Sequence, residues 1–285
     1  MGTLEQLKNL IPSRVRRRVV FPVLNQVGAF LIDTGNRILG QYDHSIPPTR
    51  MHFVGNGSFK AAGYEFLRYF IEFGRLRPDE RVLDVGCGIG RMALPLTNYL
   101  KQGRYLGIDI VPQGITWCRE NITPKFPNFE FQVADIYNDA YNPTGRYRAS
   151  EYRFPADDAS FDFAFLTSVF THLLPADAAH YLAELGRVLR PGGRVLGTWF
   201  ILNDESRALM ATRPGALNLA HVYPGDPQAQ VVDLVTPESA IGFEQQRVTE
   251  MHAAAGLRVE PVRFGSWCGR TDHVSYQDIV VAERV

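Results

Sequence analysis

The stretch that decides the fold is VLDVGCGIGR at residues 82–91. Its first half is a short apolar run, typical of a buried parallel strand. Its second half alternates three glycines, Gly86, Gly88 and Gly90, before a helical pattern begins. Glycine permits positive φ and lets a ligand approach the main chain, and the following helix offers unpaired N–H groups at its amino end. Because ligands of open α/β sheets bind at the carboxyl ends of the strands, this turn is predicted to be a ligand site.

Outward from this turn, short runs rich in Val, Ile, Leu or Phe alternate with helical patterns. The predicted strands are residues 81–85, 105–109, 129–134, 161–166, 194–200, 257–262 and 278–282. The predicted helices are residues 91–100, 176–190 and 248–255. Strand–helix alternation on this scale indicates βαβ units. We therefore predict a doubly wound, Rossmann-like α/β fold with a mostly parallel seven-stranded sheet and helices on both faces.

Composition along the chain predicts its domain organisation. Of 285 residues, 45% are hydrophobic and 21% are charged, so a sizeable core is feasible and global disorder is excluded. Residues 1–75 are predicted to form a helical amino-terminal extension or cap, and residues 76–285 the main domain. A segment rich in Pro, Asn and Gly at about 201–247 is predicted to be an insertion in that domain.

Charge and cysteine usage exclude several classes. Thirty basic residues balance thirty acidic ones, which argues against a dedicated nucleic-acid binder. Cys87, Cys118 and Cys268 lie far apart, with neither metal-ligand spacing nor a disulfide framework. We predict no metal site and a reducing, cytoplasmic location. The amino-terminal residues lack a secretory signal pattern, and no apolar run reaches the length of a membrane-spanning helix.

Acidic residues at three strand ends narrow the choice of ligand. Arg91 stands where the dinucleotide motif G-x-G-x-x-G needs its third glycine, and Asp84 before the turn would repel a pyrophosphate. A carboxylate there suits a cationic ligand end, such as the ammonium of a methionine moiety. Asp109 ends the second strand and can accept both hydroxyls of a ribose. Asp135 ends the third strand and can accept a hydrogen bond from an adenine amino group, or cap a helix.

At these residues the chain resembles a known family. DVGCGIG at residues 84–90 resembles the first motif of class I S-adenosylmethionine-dependent methyltransferases, and Asp109 and Asp135 fall where that family places its ribose and adenine acids. FPADDASFD at 154–162 and LRPGG at 189–193 resemble the runs before its fourth and fifth strands. The resemblance covers residues 76–200 and, loosely, 248–285.

The resemblance implies S-adenosylmethionine as cofactor and a set of residues that bind it. These residues are Asp84, Gly86, Cys87, Gly88, Gly90, Arg91, Asp109, Ile110, Asp135, Ile136 and Thr167. In the family the sulfonium methyl group is transferred by direct displacement, and the protein mainly positions the reactants.

The sequence after the fourth strand bears on the acceptor. LTSV at residues 166–169 lacks the Asp/Asn-Pro-Pro-aromatic motif of family members that methylate nucleobases or glutamine, so that acceptor class loses support. His172 follows closely and is the candidate general base, because an imidazole can take a proton from an attacking hydroxyl. Several sugar and natural-product O-methyltransferases resemble the chain in this histidine. The alternative is a histidine that is merely hydrogen-bonded in the turn.

We therefore expect a methyltransferase that acts on a hydroxyl of a small or medium metabolite, best a glycosylated or lipidic natural product. Three alternatives remain: an N- or C-methyltransferase without a strong base, a non-catalytic methyltransferase-like binding protein, and a nicotinamide oxidoreductase, which the glycine spacing disfavours. The basic, apolar segment up to residue 40 can lie on an anionic membrane, cover the core as a helix, or join two copies of the chain in a homo-oligomer.

Overall fold

The computed structural model describes residues 33–35, 38–39, 43, 45–51, 58–139, 141–213 and 216–285. The chain divides into two compact units, Met1–Phe59 and Lys60–Val285. In the first unit, the Asp33 carboxylate accepts a hydrogen bond of 2.8 Å from the main-chain N–H of Thr49. Most of the basic segment up to residue 40 lies outside the described residues, so its contact with a membrane or a second copy stays a prediction.

From residue 59 onwards, the described residues form the following helices and strands. The helices are α1 (Phe59–Glu72), α2 (Ala93–Tyr99), α3 (Pro112–Asn121), α4 (Pro175–Val188), α5 (Asp204–Thr212) and α6 (Gln245–Ala254). The strands are β1 (Arg81–Val85), β2 (Arg104–Asp109), β3 (Phe129–Val133), β4 (Phe161–Leu166), β5 (Leu189–Trp199), β6 (Ile201–Leu202), β7 (His221–Tyr223), β8 (Asp226–Val231), β9 (Ile241–Glu244), β10 (Leu257–Val259) and β11 (Asp278–Arg284).

Seven strands form the main sheet, in the order β10-β11-β5-β4-β1-β2-β3. The five strands from β5 to β3 run parallel, and β11 runs antiparallel to both of its neighbours. The predicted mostly parallel, seven-stranded sheet is confirmed. The strand order reverses between β4 and β1, so the crevice of this fold opens at their carboxyl ends.

The sheet is covered on both faces because its strands are apolar on both sides. Val82 of β1 packs in one core with Leu96 of α2 and Ile115 of α3. Leu83, the next residue, packs in a second core with Leu182 of α4. Side chains of a strand point alternately to opposite faces, so these two cores lie on opposite sides of the sheet. This confirms the predicted layered arrangement.

The predicted insertion at about 201–247 contains a second, four-stranded sheet in the order β6-β9-β8-β7. Helix α5 begins with a capping box, in which the Asn203 side chain accepts a bond from the Ser206 N–H and the Ser206 hydroxyl accepts one from the Asn203 N–H, both at 2.9 Å. The segment returns directly into α6 of the main domain. It is therefore an ordered element at the end of β5.

Two predicted boundaries at one place are wrong, one by two residues and the other by five. Helix α4 ends at Val188 rather than at residue 190, and β5 begins at Leu189 rather than at 194. Leu189 already pairs with Phe161, and the register shifts before Phe163. Gly192 takes a φ of 73° within this strand. The Pro-Gly-Gly run therefore forms an irregularity inside a longer strand instead of a turn before it.

Candidate active site

The glycine turn after β1 adopts a conformation that favours glycine at each alternate position. Gly86, Gly88 and Gly90 have φ of 85°, 57° and 79°, in the left-handed region. The N–H groups of Gly86 and Cys87 both donate to the Ile108 carbonyl of β2, at 2.8 and 3.1 Å. The turn is therefore fixed on the carboxyl end of the neighbouring strand.

Asp109 at the end of β2 holds the same turn through its side chain. Its Oδ2 accepts a bond of 2.7 Å from the Gly88 N–H, and its Oδ1 accepts one of 2.8 Å from the Val111 N–H. Burial raises the pKa of this carboxyl, and the main-chain donors oppose that change. Each carboxylate oxygen has further lone pairs, so Asp109 can orient the turn and still accept ribose hydroxyls.

Asp84, two residues before the first glycine of the turn, is fully buried. Its Oδ2 accepts a bond of 2.6 Å from the Tyr105 hydroxyl, whereas its Oδ1 has no hydrogen-bond partner within the described part of the chain. Burial raises the pKa of Asp84 well above its usual range, the Tyr105 hydrogen bond opposes this, and the charge of Asp109 adds to it. A cationic ligand end in the crevice would compensate this electrostatic cost. This carboxylate, with one oxygen left to accept a hydrogen bond, therefore fits the ammonium group of a methionine moiety.

Three further predicted cofactor residues lie around the turn. Cys87 is buried and packs in the core on one face of the sheet, and burial raises the pKa of its thiol. Arg91 is half-buried, and burial lowers its pKa. Ile110 is half-buried immediately after Asp109, at the carboxyl end of β2. All three lie at the edge of the sheet where the ligand is expected.

Asp135 follows β3 but is paired within the protein. Its carboxylate accepts a bond of 2.5 Å from Arg146 Nε and one of 3.2 Å from the Arg146 N–H. The Arg146 side chain therefore lowers the Asp135 pKa. The alternative role as a helix cap is wrong, because the next residue, the buried Ile136, forms a β-bridge with Tyr147. An adenine amino group would share this carboxylate with Arg146.

The turn after β4, residues 167–172, lies against the glycine turn. A Cβ placed on Gly86 would come within 2.4 Å of Val169 Cγ2. Thr167 is half-buried at the end of β4, and Ser168 takes a φ of 57°, which is rare for a residue with a side chain. This turn therefore brings the region predicted for acceptor chemistry next to the predicted cofactor turn.

His172 ends this turn, in the 3₁₀ helix Phe170–His172, and its side chain is exposed. Its Nδ1 lies 2.9 Å from the carbonyl oxygen of Glu238, in the 3₁₀ helix Pro237–Ser239 of the insertion. A carbonyl oxygen only accepts, so Nδ1 carries the proton of this bond. The neutral ring then has an unprotonated Nε2. His172 can therefore be hydrogen-bonded through Nδ1 and still be the candidate base through Nε2.

Several residues of the site are absent from the sequence-based prediction. Tyr105 donates a hydrogen bond to Asp84 from the neighbouring strand. The register of β1 and β2 sets Asp84 opposite Gly107, and Tyr105, two residues before Gly107, lies on the same face of the sheet. This contact could therefore have been inferred from the register. Glu238 and Gln277 meet the turn after β4 through separations of 66 and 109 residues. No local sequence signal marks contacts of that range.

The residues that the structure describes contain no group of three or more His, Cys, Asp or Glu side chains arranged to hold a metal ion. Within those residues, too, no helix combines the length and apolar character needed to span a membrane.

Comparison with known proteins agrees with this geometry. A family model described as "Methyltransferase domain" matches residues 82–193. Demethylmenaquinone methyltransferase of Deinococcus radiodurans is 31% identical over 188 residues, which cover 62% of the chain and 68% of that relative. The chain belongs to the class I S-adenosylmethionine-dependent methyltransferases. Its cofactor is S-adenosylmethionine, whose ammonium and ribose groups suit Asp84 and Asp109.

Several other curated relatives match a smaller share of the chain. The phthiotriol/phenolphthiotriol dimycocerosates methyltransferase of Mycobacterium leprae is 34% identical over 116 residues, or 41% of the chain and 36% of that relative. The chain spans 36% to 41% of the length of several curated relatives that it matches. Among solved structures, the PH0226 protein of Pyrococcus horikoshii has a TM-score of 0.54 at 16% identity, covering 88% of the chain and 99% of that protein. This last likeness concerns the fold alone.

Proposed function

We propose that this methyltransferase transfers a methyl group to a hydroxyl oxygen of a small or medium lipidic metabolite, with His172 as the general base. The observation that carries the proposal is the bond from His172 Nδ1 to the Glu238 carbonyl. It fixes the tautomer and leaves Nε2 able to take a proton. A neutral hydroxyl is a weak nucleophile, so removal of its proton as its oxygen attacks lowers the barrier.

The cofactor half of the site is assigned to the carboxyl ends of β1, β2 and β3. S-Adenosylmethionine, when bound, supplies an electrophilic methyl group on a sulfonium. Asp84 would face its ammonium, Asp109 its ribose and Asp135 its adenine, while the glycine turn gives the main chain close access. These residues position the donor, and His172 serves the acceptor from the neighbouring turn.

Two observations favour a lipidic acceptor over a glycosylated one. By name, the relatives above act on demethylmenaquinone and on phthiotriol or phenolphthiotriol dimycocerosates. In addition, the segment that leads to Glu238 exposes Val232, Leu234 and Val235, with Val235 77% exposed. Apolar side chains clustered beside a site are typical of a surface that contacts an apolar ligand.

The demethylmenaquinone relative favours one variation on this chemistry, C-methylation. If the acceptor is a phenol or hydroquinone, removal of its hydroxyl proton by His172 also places negative charge on the ring carbons ortho to the oxygen. The methyl group can then bond to such a carbon as its bond to sulfur breaks and S-adenosylhomocysteine leaves. That carbon afterwards loses its proton to water and the oxygen regains one, which restores the aromatic ring. The base has the same role in both cases, and only the site of the new methyl group differs.

The experiment uses the full chain with S-adenosylmethionine labelled in its methyl group. The acceptor probes are a reduced demethylmenaquinone with a short prenyl tail and a long-chain alkylphenol. Mass spectrometry locates the label, on oxygen for the lead proposal and on carbon for the variation. His172→Gln should lower kcat by about 10²- to 10⁴-fold. The matched control is His180→Gln on α4, which also removes a histidine bonded to a main-chain carbonyl, that of Tyr152.

The control variant, His180→Gln, should retain the kcat of the parent chain. Full activity of the His172→Gln variant would remove the base assignment. Binding of the cofactor without labelling of either probe would instead remove the lipidic acceptor class.

A further inference from the structure

The turn after β4 is held in a strained conformation by groups that lie far from it in sequence. Ser168 has a φ of 57°, a region that costs free energy for any residue except glycine. Its N–H donates to Thr198 Oγ1 of β5 at 2.8 Å, and its hydroxyl donates to Gln277 Oε1 at 3.0 Å. Such conformations persist where the surroundings fix them, and they concentrate at functional sites.

The conformation of Ser168 decides where the next four residues lie. Val169 packs on Gly86 of the glycine turn. Phe170 stacks on the buried Trp199 with ring centroids 4.0 Å apart. His172 follows, with its N–H bonded to the Val169 carbonyl at 2.9 Å. A change at Ser168 would therefore alter how the candidate base is placed relative to the glycine turn.

Gln277 contacts this turn at both ends. Besides the bond to Ser168, its Nε2 lies 3.5 Å from Thr171 Oγ1, and Thr171 is fully buried beside His172. Gln277 itself has a rigid support, because the next residue, Asp278, is fully buried and accepts bonds of 2.7 Å from the Ile201 N–H and from Trp267 Nε1. The bonds of Asp278 therefore hold the Gln277 side-chain amide in place at the carboxyl edge of the sheet.

We propose that Gln277 is a positioning residue for methyl transfer. Through Ser168 and Thr171 it holds the turn that carries His172 against the glycine turn. Its effect on the base rests on the proposed function, whereas its effect on the turn does not. Misplacement of a reacting group by about 1 Å can cost about 100-fold in rate, so a clamp of this kind should act on kcat.

The test is a double-mutant cycle in the full chain with Gln277→Leu and Ser168→Ala, assayed with the alkylphenol and prenylated hydroquinone probes. Each single variant should lower kcat by about 10- to 100-fold. Their dissociation constants for S-adenosylhomocysteine should stay within about twofold of the parent. Both variants break the same hydrogen bond, that between Ser168 and Gln277. The double variant should therefore be no slower than the slower single variant. Gln246→Leu, which removes only an exposed bond to Glu250, is the control and should be unchanged.

Additive losses in the cycle would overturn the proposal, since they would mean that Gln277 acts independently of Ser168. A second variant covers the case in which Gln277→Leu does not fold. Ser168→Gly removes the hydroxyl while glycine accepts the same φ freely. A folded Ser168→Gly enzyme with full kcat would also overturn the proposal.

A readout that needs no acceptor separates this proposal from the proposed function. Amide hydrogen exchange at His172, whose N–H is bonded to Val169, reports whether the turn is held. Gln277→Leu should raise this exchange rate by about tenfold or more with S-adenosylhomocysteine bound, and an unchanged rate contradicts the clamp. If His172→Gln retains activity while Gln277→Leu loses it, the clamp is supported and the base assignment fails.

Discussion

The Tyr105 hydroxyl donates a hydrogen bond of 2.6 Å to Asp84 Oδ2, while Oδ1 of the same carboxylate has no partner among the residues described. The two side chains come from adjacent strands, β2 and β1, and both are buried. The protein thus supplies one donor to a carboxylate that needs more. A cation in the crevice above would complete its surroundings.

The first prediction concerns Asp84 itself. Asp84→Asn removes the negative charge that would balance the ammonium of the cofactor. A hydrogen bond to a charged group contributes about 1.5–3 kcal/mol, so affinity for S-adenosylhomocysteine should fall by about 10- to 100-fold at a pH above the Asp84 pKa. Calorimetric titration measures this. Asp79→Asn, an exposed acid just before β1, is the control. Equal affinity in parent and Asp84→Asn chains would disprove the assignment.

The second prediction is a pH dependence with a definite sign. Burial raises the Asp84 pKa, and only the ionised carboxylate attracts the ammonium. Affinity for S-adenosylhomocysteine should therefore weaken as pH falls through that pKa. The Tyr105 hydroxyl lowers the pKa, so Tyr105→Phe should move the midpoint to higher pH. Asp84→Asn should abolish this transition. A midpoint that does not move in Tyr105→Phe contradicts the role of the hydroxyl.

The third prediction separates two costs of replacing a glycine: backbone strain at positive φ, and a clash between the new Cβ and a neighbouring side chain. Gly86 and Gly192 both have positive φ, 85° and 73°, but only a Cβ on Gly86 meets a neighbour, Val169. Gly192→Ala should cost about 1–2 kcal/mol in the free energy of unfolding. Gly86→Ala should cost more and should also weaken cofactor binding. Adding Val169→Ala to Gly86→Ala should restore part of both losses. Equal effects at the two glycines would show that the contact with Val169 is unimportant.

The fourth prediction concerns the pairing of Asp135. Arg146→Gln removes an ion pair whose arginine is 76% exposed, so the free energy of unfolding should change little. If Asp135 accepts from the adenine amino group, Arg146→Gln should leave the affinity for S-adenosylhomocysteine unchanged or improved. Asp135→Ala should weaken it several-fold. An equal loss in both variants would indicate that the ion pair shapes the site and that Asp135 does not contact adenine.

The strands and the glycine turn could be predicted from the sequence because their signals are local. β1 and β4 have the predicted bounds, since a short apolar run between turn residues depends little on the rest of the chain. The predicted start of β5 is wrong because Pro191 and Gly192 are typical of a turn. Pairing with β4, a tertiary contact, accommodates them as an irregularity within the strand.

The candidate site was predictable only in part, for a related reason. Residues of the glycine turn and the acids at strand ends follow from spacing and strand direction. The partner of Asp135 is Arg146, which lies across an irregular loop whose path has no periodic signal. The clamp from Gln277 depends on β11 lying next to β5, which is a property of the assembled sheet.

The most direct test of the central claim, that the carboxyl ends of β1 and β2 bind the methyl donor, is a calorimetric titration of the full chain with S-adenosylhomocysteine, run in parallel with NADH. We predict one binding site per chain for S-adenosylhomocysteine, no binding of NADH, and loss of binding in Asp109→Ala. Binding of NADH in place of S-adenosylhomocysteine, or undiminished binding of S-adenosylhomocysteine by Asp109→Ala, would contradict it.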